Sequence, residues 1–374
     1  MLNYARIPDD FLLSGDGAGE GIHTLHPYPA KFPAKLAREN LANYARPGDV
    51  VMDPFCGSGT TLVEAKRFGL DAVGVDVNDL ACLISKVKTT PLESSDFRAI
   101  ERALANIRSG RNTRHQNIVS VNFNNCEHWF QKNVVREISA LLEEIKRVSR
   151  VAAVNFLKMT LASIVVRVSN QESDTRYAAV DKNIEDGYTV KLFVKKAEGN
   201  IKNMQTFFAH APSTNTVIYR ADSRDLSFIA PSSIDCVVTS PPYANSYDYY
   251  LYHKFRCIWL NLDFRFAQNK EIGSRREFSS LKRCAMKWRA DLSACFFQIN
   301  RAIKKGGIVV MVIGDSVIAG KKIDAGVLVS ELAKKEGFKI KSISSYSQAK
   351  NSKSFNPMFS AKNKQEHVVC MVKK

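Results

Sequence analysis

Asp49-Val50-Val51-Met52-Asp53-Pro54-Phe55-Cys56-Gly57-Ser58-Gly59-Thr60-Thr61 is the stretch on which the fold turns. A short apolar strand runs into a turn with two glycines, and a helical pattern follows from Leu62 to Phe68. The glycines let the backbone turn tightly and approach a ligand, and the next helix offers its first N–H groups to a carboxylate or phosphate. No Gly-Lys-Ser/Thr follows, so this is not a P-loop, and the third glycine of the dinucleotide fingerprint is missing. Ala72-Val73-Gly74-Val75-Asp76 reads as a second strand ending in an acid, where doubly wound nucleotide sites bind two ribose hydroxyls.

Thr239-Ser240-Pro241-Pro242-Tyr243 carries the second signal. The run Ile234-Asp235-Cys236-Val237-Val238 leads into it as a buried parallel strand. Two prolines fix φ and remove two donors, leaving a stiff turn of carbonyl oxygens and one hydroxyl with an aromatic ring behind. Such an edge suits a planar group bearing an amine: the ring stacks and the acceptors take the amine hydrogens. Alone, Pro-Pro-Tyr reads equally well as a proline-stiffened strand exit. The glycine turn and the acid about twenty residues beyond it shift the balance toward a site.

These residues together resemble the S-adenosylmethionine-dependent DNA amino-methyltransferases, and the Ser-Pro-Pro-Tyr form is most similar to their cytosine-N4 branch. His26-Pro27-Tyr28-Pro29-Ala30-Lys31-Phe32-Pro33 resembles the cofactor-side motif that precedes the glycine turn in that family. The resemblance covers roughly residues 23 to 88 and 216 to 374. It implies S-adenosyl-L-methionine as cofactor, held by Lys31, Phe32, Asp53, Pro54, Phe55, Gly57, Gly59, Thr60, Thr61 and Asp76, with Asp222 near the adenine. It implies catalysis by Ser240, Pro241, Pro242 and Tyr243 on the exocyclic N4 amine of a flipped cytosine. An adenine-N6 DNA enzyme, an RNA guanine methyltransferase and an idle nucleic-acid-binding module remain open beside it. Cytosine-C5 chemistry needs a cysteine nucleophile, and Cys236 lies within the strand before the turn.

Composition points to a polyanion. The chain has 54 Lys and Arg against 37 Asp and Glu, a net charge of +17. Asp263 to Lys305 holds eleven of the cations against four acids, with Trp259, Phe264, Phe266, Phe278 and Trp288 interleaved or adjacent. Cations for phosphates among rings make Arg275, Arg276, Lys282 and Arg283 the expected contacts to double-stranded DNA. A cognate restriction endonuclease is an expected partner of such an enzyme. The eight cysteines and His23, His26, His128 and His253 show no metal-ligand spacing, so no metal is expected and Cys56, Cys82, Cys236 and Cys370 read as buried thiols. No signal peptide is visible, which suggests the reducing cytoplasm. Val151 to Val168 is interrupted by Asn155, Lys158 and Arg167 and reads as a core helix, not a membrane span.

The expected fold is α/β: a Rossmann-like class I methyltransferase core over 23–88 and 216–374. Its seven-stranded, mostly parallel sheet would carry helices on both faces, with three β/α units before an insertion and an antiparallel pair at the end. Residues 1–22 read as a mobile arm. Residues 89–215 read as a mostly helical insertion and a region for target recognition. Within it Val134, Val135, Ile138, Leu141, Leu142, Ile145 and Val148 make an apolar stripe. Arg167 to Arg176 reads either as a reader of base edges or as a solvated loop.

Overall fold

Short β-branched runs assemble into one eight-stranded sheet. The computed structural model describes residues 4–6, 21–31, 33–110, 125–245, 247–279, 284–318, 321–347 and 363–374. Its strands are β1 (Tyr4–Arg6), β2 (Val50–Asp53), β3 (Asp71–Asp76), β4 (Gln171–Ser173), β5 (Arg176–Ala179), β6 (Thr216–Arg220), β7 (Ile234–Thr239), β8 (Ile303–Gly314), β9 (Ser316–Ile318), β10 (Lys321–Ile323), β11 (Phe338–Ser347) and β12 (Gln365–Lys373). The sheet order is β1-β11-β12-β8-β7-β2-β3-β6. Strands β8, β7, β2, β3 and β6 run parallel, and only β12 opposes its neighbours. This is the class I methyltransferase arrangement with one strand added.

The added strand corrects the expectation for the arm. Tyr4–Arg6 pairs with Ile343–Ser345 and covers what would otherwise be an exposed edge of β11. Ile22 and His23 are buried in a single 3-10 turn, and the His23 ring meets Glu64 at 2.7 Å. Two β/α units precede the insertion, not three, because the third core strand, β6, comes after it.

Both sheet faces are buried. Val51, Cys236, Val238, Val310 and Val312 pack on one face with Leu36 and Leu41 of α1 (Ala34–Tyr44) and Leu62 of α2 (Thr60–Arg67). Met52, Val237, Val309 and Met311 point to the other, so the period-2 alternation of a strand survives even where every residue is apolar. That second face is covered by helices from the C-terminal half. Asp315, after β8, binds Ala325 N–H, Gln365 N–H, the His367 ring and Lys322, tying the strand ends together.

Helix α3 (Asp79–Thr89) starts at Asn78, whose side chain accepts the Leu80 N–H at 2.9 Å, and ends before Pro91. The insertion follows with α4 (Ser94–Arg108), α5 (Cys126–Trp129), α6 (Lys132–Lys146), α7 (Val151–Val168) and α8 (Tyr188–Phe208). Among the described residues α7 alone is long and apolar enough to cross a membrane, and two thirds of it lies inside the protein. Its buried face is wide because neighbouring helices flank it, and Asn155, Lys158 and Arg167 take its more open positions. The Arg167–Arg176 segment is neither a loop nor a base reader throughout: it enters the β4–β5 hairpin, and Gln171 is fully buried.

Four further helices complete the chain: α9 (Tyr249–Leu260), α10 (Phe264–Lys270), α11 (Cys284–Ala302) and α12 (Ala325–Lys335). Trp259, Phe278 and Trp288 are core residues here, which removes them from the expected nucleic-acid surface. Phe266 lies under Arg220 at 4.9 Å. Cys56, Cys236 and Cys370 are buried free thiols, while Cys82 is partly exposed.

Candidate active site and donor cleft

Strands β2 and β7 are neighbours, yet the chain leaves them in opposite directions, to β3 and β6 on one side and to β8 on the other. A parallel sheet opens a crevice at such a switch point, beyond the carboxyl ends of the strands. The glycine turn leaves β2 there and the Ser-Pro-Pro-Tyr turn leaves β7 there. Both therefore open onto one cleft.

The glycine turn is held from three sides. Gly59 adopts φ +80° at the start of α2, where a side chain would lie 2.8 Å from Ser85 Oγ and 3.1 Å from Ser85 Cα. Ser85 Oγ donates to the Gly57 carbonyl at 2.9 Å, and the wholly buried Lys88 donates to the Ser58 carbonyl at 3.0 Å. Burial first, then the charges of Lys31 and Lys196, hold the Lys88 amine well below its usual range. Asp76 closes the turn from β3, accepting the Gly57 N–H at 2.9 Å and the Asn78 N–H at 2.8 Å. Burial pushes its carboxyl up to about 6.

The segment before α1 forms one wall. The Tyr28 ring packs on His253 at 4.8 Å and faces Gly57, and Lys31 Nζ donates to the His23 carbonyl at 3.1 Å. His26 is buried behind this wall and does not line the cleft.

Across the cleft, Thr239 Oγ1 donates to Asp53 Oδ1 at 2.6 Å and Thr61 Oγ1 donates to the Val238 carbonyl at 3.0 Å. These bonds lock the end of β7 to β2 and α2. Trp288 supports the turn through its indole N–H, 3.4 Å from the Pro242 carbonyl. The Tyr243 hydroxyl donates to Glu366 Oε1 at 2.7 Å, and Ser240 Oγ lies 3.5 Å from that hydroxyl.

Lys31, Pro54, Phe55, Gly57, Thr60, Asp76, Asp222, Ser240, Pro241, Pro242 and Tyr243 all line this cleft. Asp53, Gly59 and Thr61 stand behind it, as supports of the two turns. Asp53 is buried, accepts from Phe55 N–H and Thr239, and has its carboxyl raised by burial to about 6. Asp222 lines the cleft but is gripped by the Nε–Nη2 edge of Arg224, whose Nη1 donates to Asp291. Burial opposes its charge, and Arg224 still holds it below the usual carboxylate range. Arg275 and Arg276 lie on a one-turn helix outside the cleft, with Arg276 exposed and Arg275 turned toward Asp248 and Tyr252. Phe32, Lys282 and Arg283 lie outside the described residues.

Tyr28, Tyr249, Lys270 and Glu271 are among the lining residues that the sequence reading did not assign to the site. Glu271 accepts the Tyr249 N–H at 2.7 Å and the Tyr250 N–H at 3.4 Å at the start of α9, and burial pushes its carboxyl up to about 8. As one of four acids in a strongly basic segment, Glu271 carried no distinguishing signal in the sequence.

Residues 13–87, which carry the N-terminal wall, the glycine turn and Asp76, match a family model described as DNA methylase. Over those residues the chain is similar to the N6/N4 DNA methylases. The type II methyltransferase M.MvaI of Kocuria varians is 29% identical to it over 264 residues, 65% of this chain and 58% of the relative. M.MjaII of Methanocaldococcus jannaschii is 37% identical over 93 residues, covering 25% of this chain and 17% of the relative. M.BsoBI of Geobacillus stearothermophilus is 23% identical over 277 residues, covering 65% and 53%. The chain thus spans at most 58% of the length of these relatives.

Proposed function

We propose that the protein is an S-adenosylmethionine-dependent DNA methyltransferase acting on the N4 amine of a flipped cytosine. The observation that carries the reading is the shared cleft: a donor turn closed by Asp76 faces an acceptor turn at Ser240–Tyr243. The residues present fit the donor. Asp76 keeps lone pairs beyond the two backbone N–H groups it accepts, suited to a ribose diol, and Tyr28 and Phe55 supply apolar walls. Lys31 supplies a cation for the donor's carboxylate. When bound, the donor supplies an electrophilic methyl group.

The amine of cytosine is a poor nucleophile because its lone pair is delocalised into the ring. Ser240 Oγ and the Pro241 carbonyl accept its two hydrogens and favour a tetrahedral nitrogen, a contact that strengthens in the transition state. Tyr243 stacks on the base, and a duplex target must be flipped to reach it. Ser at the first position of the turn supports cytosine over adenine by family resemblance. The net charge of +17 and exposed Arg276 support a nucleic-acid partner. The insertion 89–215 is the proposed target-recognition region, with Gln171 excluded by its burial.

The test is incubation with methyl-labelled donor and plasmid DNA or RNA, followed by digestion to nucleosides and mass spectrometry. N4-methylcytosine is expected from DNA. Label in adenine or only in RNA would replace the substrate, and absence of any label would leave a binding module.

A further inference from the structure

Methyl transfer to an amine releases a proton, and the cleft's own carboxylates are poorly placed to take it. Asp76 and Glu271 are each occupied by two backbone N–H groups and make no hydrogen bond to the acceptor turn. Asp53 is bonded to Thr239, behind the turn. Asp222 lines the cleft but is gripped by Arg224. Glu366 is connected. Ser240 Oγ–H points to the Tyr243 oxygen at 3.5 Å, and the Tyr243 O–H points to Glu366 Oε1 at 2.7 Å.

We propose that Ser240, Tyr243 and Glu366 form a proton relay that carries the amine proton out of the cleft. The inference rests on the methyltransferase reading above. Both hydroxyls donate in the same direction, away from the amine, so each is an acceptor on the side from which the proton comes. As the N–CH3 bond forms, the S–CH3 bond breaks and its electron pair stays on sulfur, giving a neutral thioether. The amine N–H proton passes to Ser240 Oγ, the serine proton to Tyr243, and the tyrosine proton to Glu366. One sulfonium and one carboxylate become a thioether and a carboxylic acid, so charge balances. The 3.5 Å step is longer than a formed bond and closes when the amine binds, since catalytic hydrogen bonds tighten in the complex. Glu366 is half-buried on β12 and does not line the cleft, which puts the proton's exit on the far side of the Tyr243 ring from the donor. A hydrogen-bond chain ending in a carboxylate also polarises the serine oxygen, making it a better acceptor as charge develops.

Glu366 is faced by Tyr243 and Tyr247 from the segment after β7, by Tyr346 from β11, and by Lys364 beside it.

Tyr243→Phe keeps the ring and breaks the relay, and Glu366→Gln keeps the bond to the hydroxyl but removes the base. Single-turnover transfer to duplex DNA should fall at least about tenfold in each, with donor affinity unchanged, and the double variant should be no slower than either. Glu366→Asp should recover part of the rate lost in Glu366→Gln, because it restores a base at the end of the chain. With fluorotyrosine at position 243, the fluorine resonance of the protein without donor or DNA should shift in Glu366→Gln. Wild-type rates in Tyr243→Phe and Glu366→Gln, beside a slow Tyr243→Ala, would overturn the relay and leave the stacking role intact. Additive losses in the double variant would also overturn it. Failure of the underlying reading looks different: the wild-type protein itself would transfer no methyl group.

Discussion

Asp76→Asn tests the donor half of the cleft with a change of one atom. The Asp76 carboxylate accepts two backbone N–H groups, from Gly57 at 2.9 Å and Asn78 at 2.8 Å, one on each oxygen. Asparagine offers one oxygen for those two donors, so its NH2 must face an N–H, and the charge that strengthened every bond is gone. Losing one hydrogen bond to a charged group costs about 1.5–3 kcal/mol. Donor affinity should therefore fall by about tenfold to about 150-fold, since about 1.4 kcal/mol is a factor of ten. The wild-type protein should show a milder form of the same loss on acidification. Its Asp76 carboxyl is raised to about 6, and the ionised form is the one that offers all its acceptors. Affinity is then full above that pH and drops as pH falls through it, by about tenfold one unit below. Calorimetry of donor binding from pH 8 to 5 measures both effects, with Asp53→Asn as a control that should keep the acid limb. An affinity flat across that range in wild type, equal to that of a folded Asp76→Asn, would remove Asp76 from the donor site.

Gly59→Ala should destabilise the protein by about 2–4 kcal/mol in chemical denaturation, from the left-handed backbone and the contact with Ser85 together; a loss under about 1 kcal/mol would mean that α3 yields easily. Glu271 is an acid whose folded-state pKa is raised, from 4.5 to about 8, so the folded protein keeps a proton that the unfolded chain releases in that window. Its contribution therefore weakens stability as pH rises from about 4.5 to about 8, and Glu271→Gln should flatten that part of the stability curve; an unchanged slope would place the carboxyl near its ordinary value. Arg276→Glu should weaken binding alike across DNA sequences and lower the slope of log affinity against log salt by about one or more, whereas an unaltered slope would take this residue off the DNA surface.

The order of strand, glycine turn, helix, strand and acid was readable because each step depends on local chemistry. A Gly at φ +80° and an acid at a strand end leave a mark in the sequence wherever they sit. The pairing of the two turns was readable too, since both follow strands of one parallel sheet. What could not be read depends on contacts distant in the chain. Tyr243 meets Glu366 across 123 residues, and Thr239 meets Asp53 across 186. No spacing rule announces such partners. Asp53, Gly59 and Thr61 look identical in sequence to the residues that line the cleft, and only the side-chain directions set by the turn separate them. The aromatic residues near the basic segment misled for a related reason. Trp288 and Phe278 share that segment with its cations, but the packing of α11 on the sheet buries them. Tyr4–Arg6 joins the sheet through β11, more than three hundred residues away, so a short polar arm gave no sign of a strand.

The central claim is that one cleft holds a methyl donor on the β2 side and an amine-bearing base on the β7 side. Tyr243→Ala tests it directly, measured in parallel by donor calorimetry and by single-turnover methyl transfer to DNA. Losing a base–aromatic stack of about 1–3 kcal/mol should slow transfer at least about tenfold, while donor affinity stays within about twofold of wild type. Methyl transfer by Tyr243→Ala at the wild-type rate would make the turn a scaffold and contradict the account.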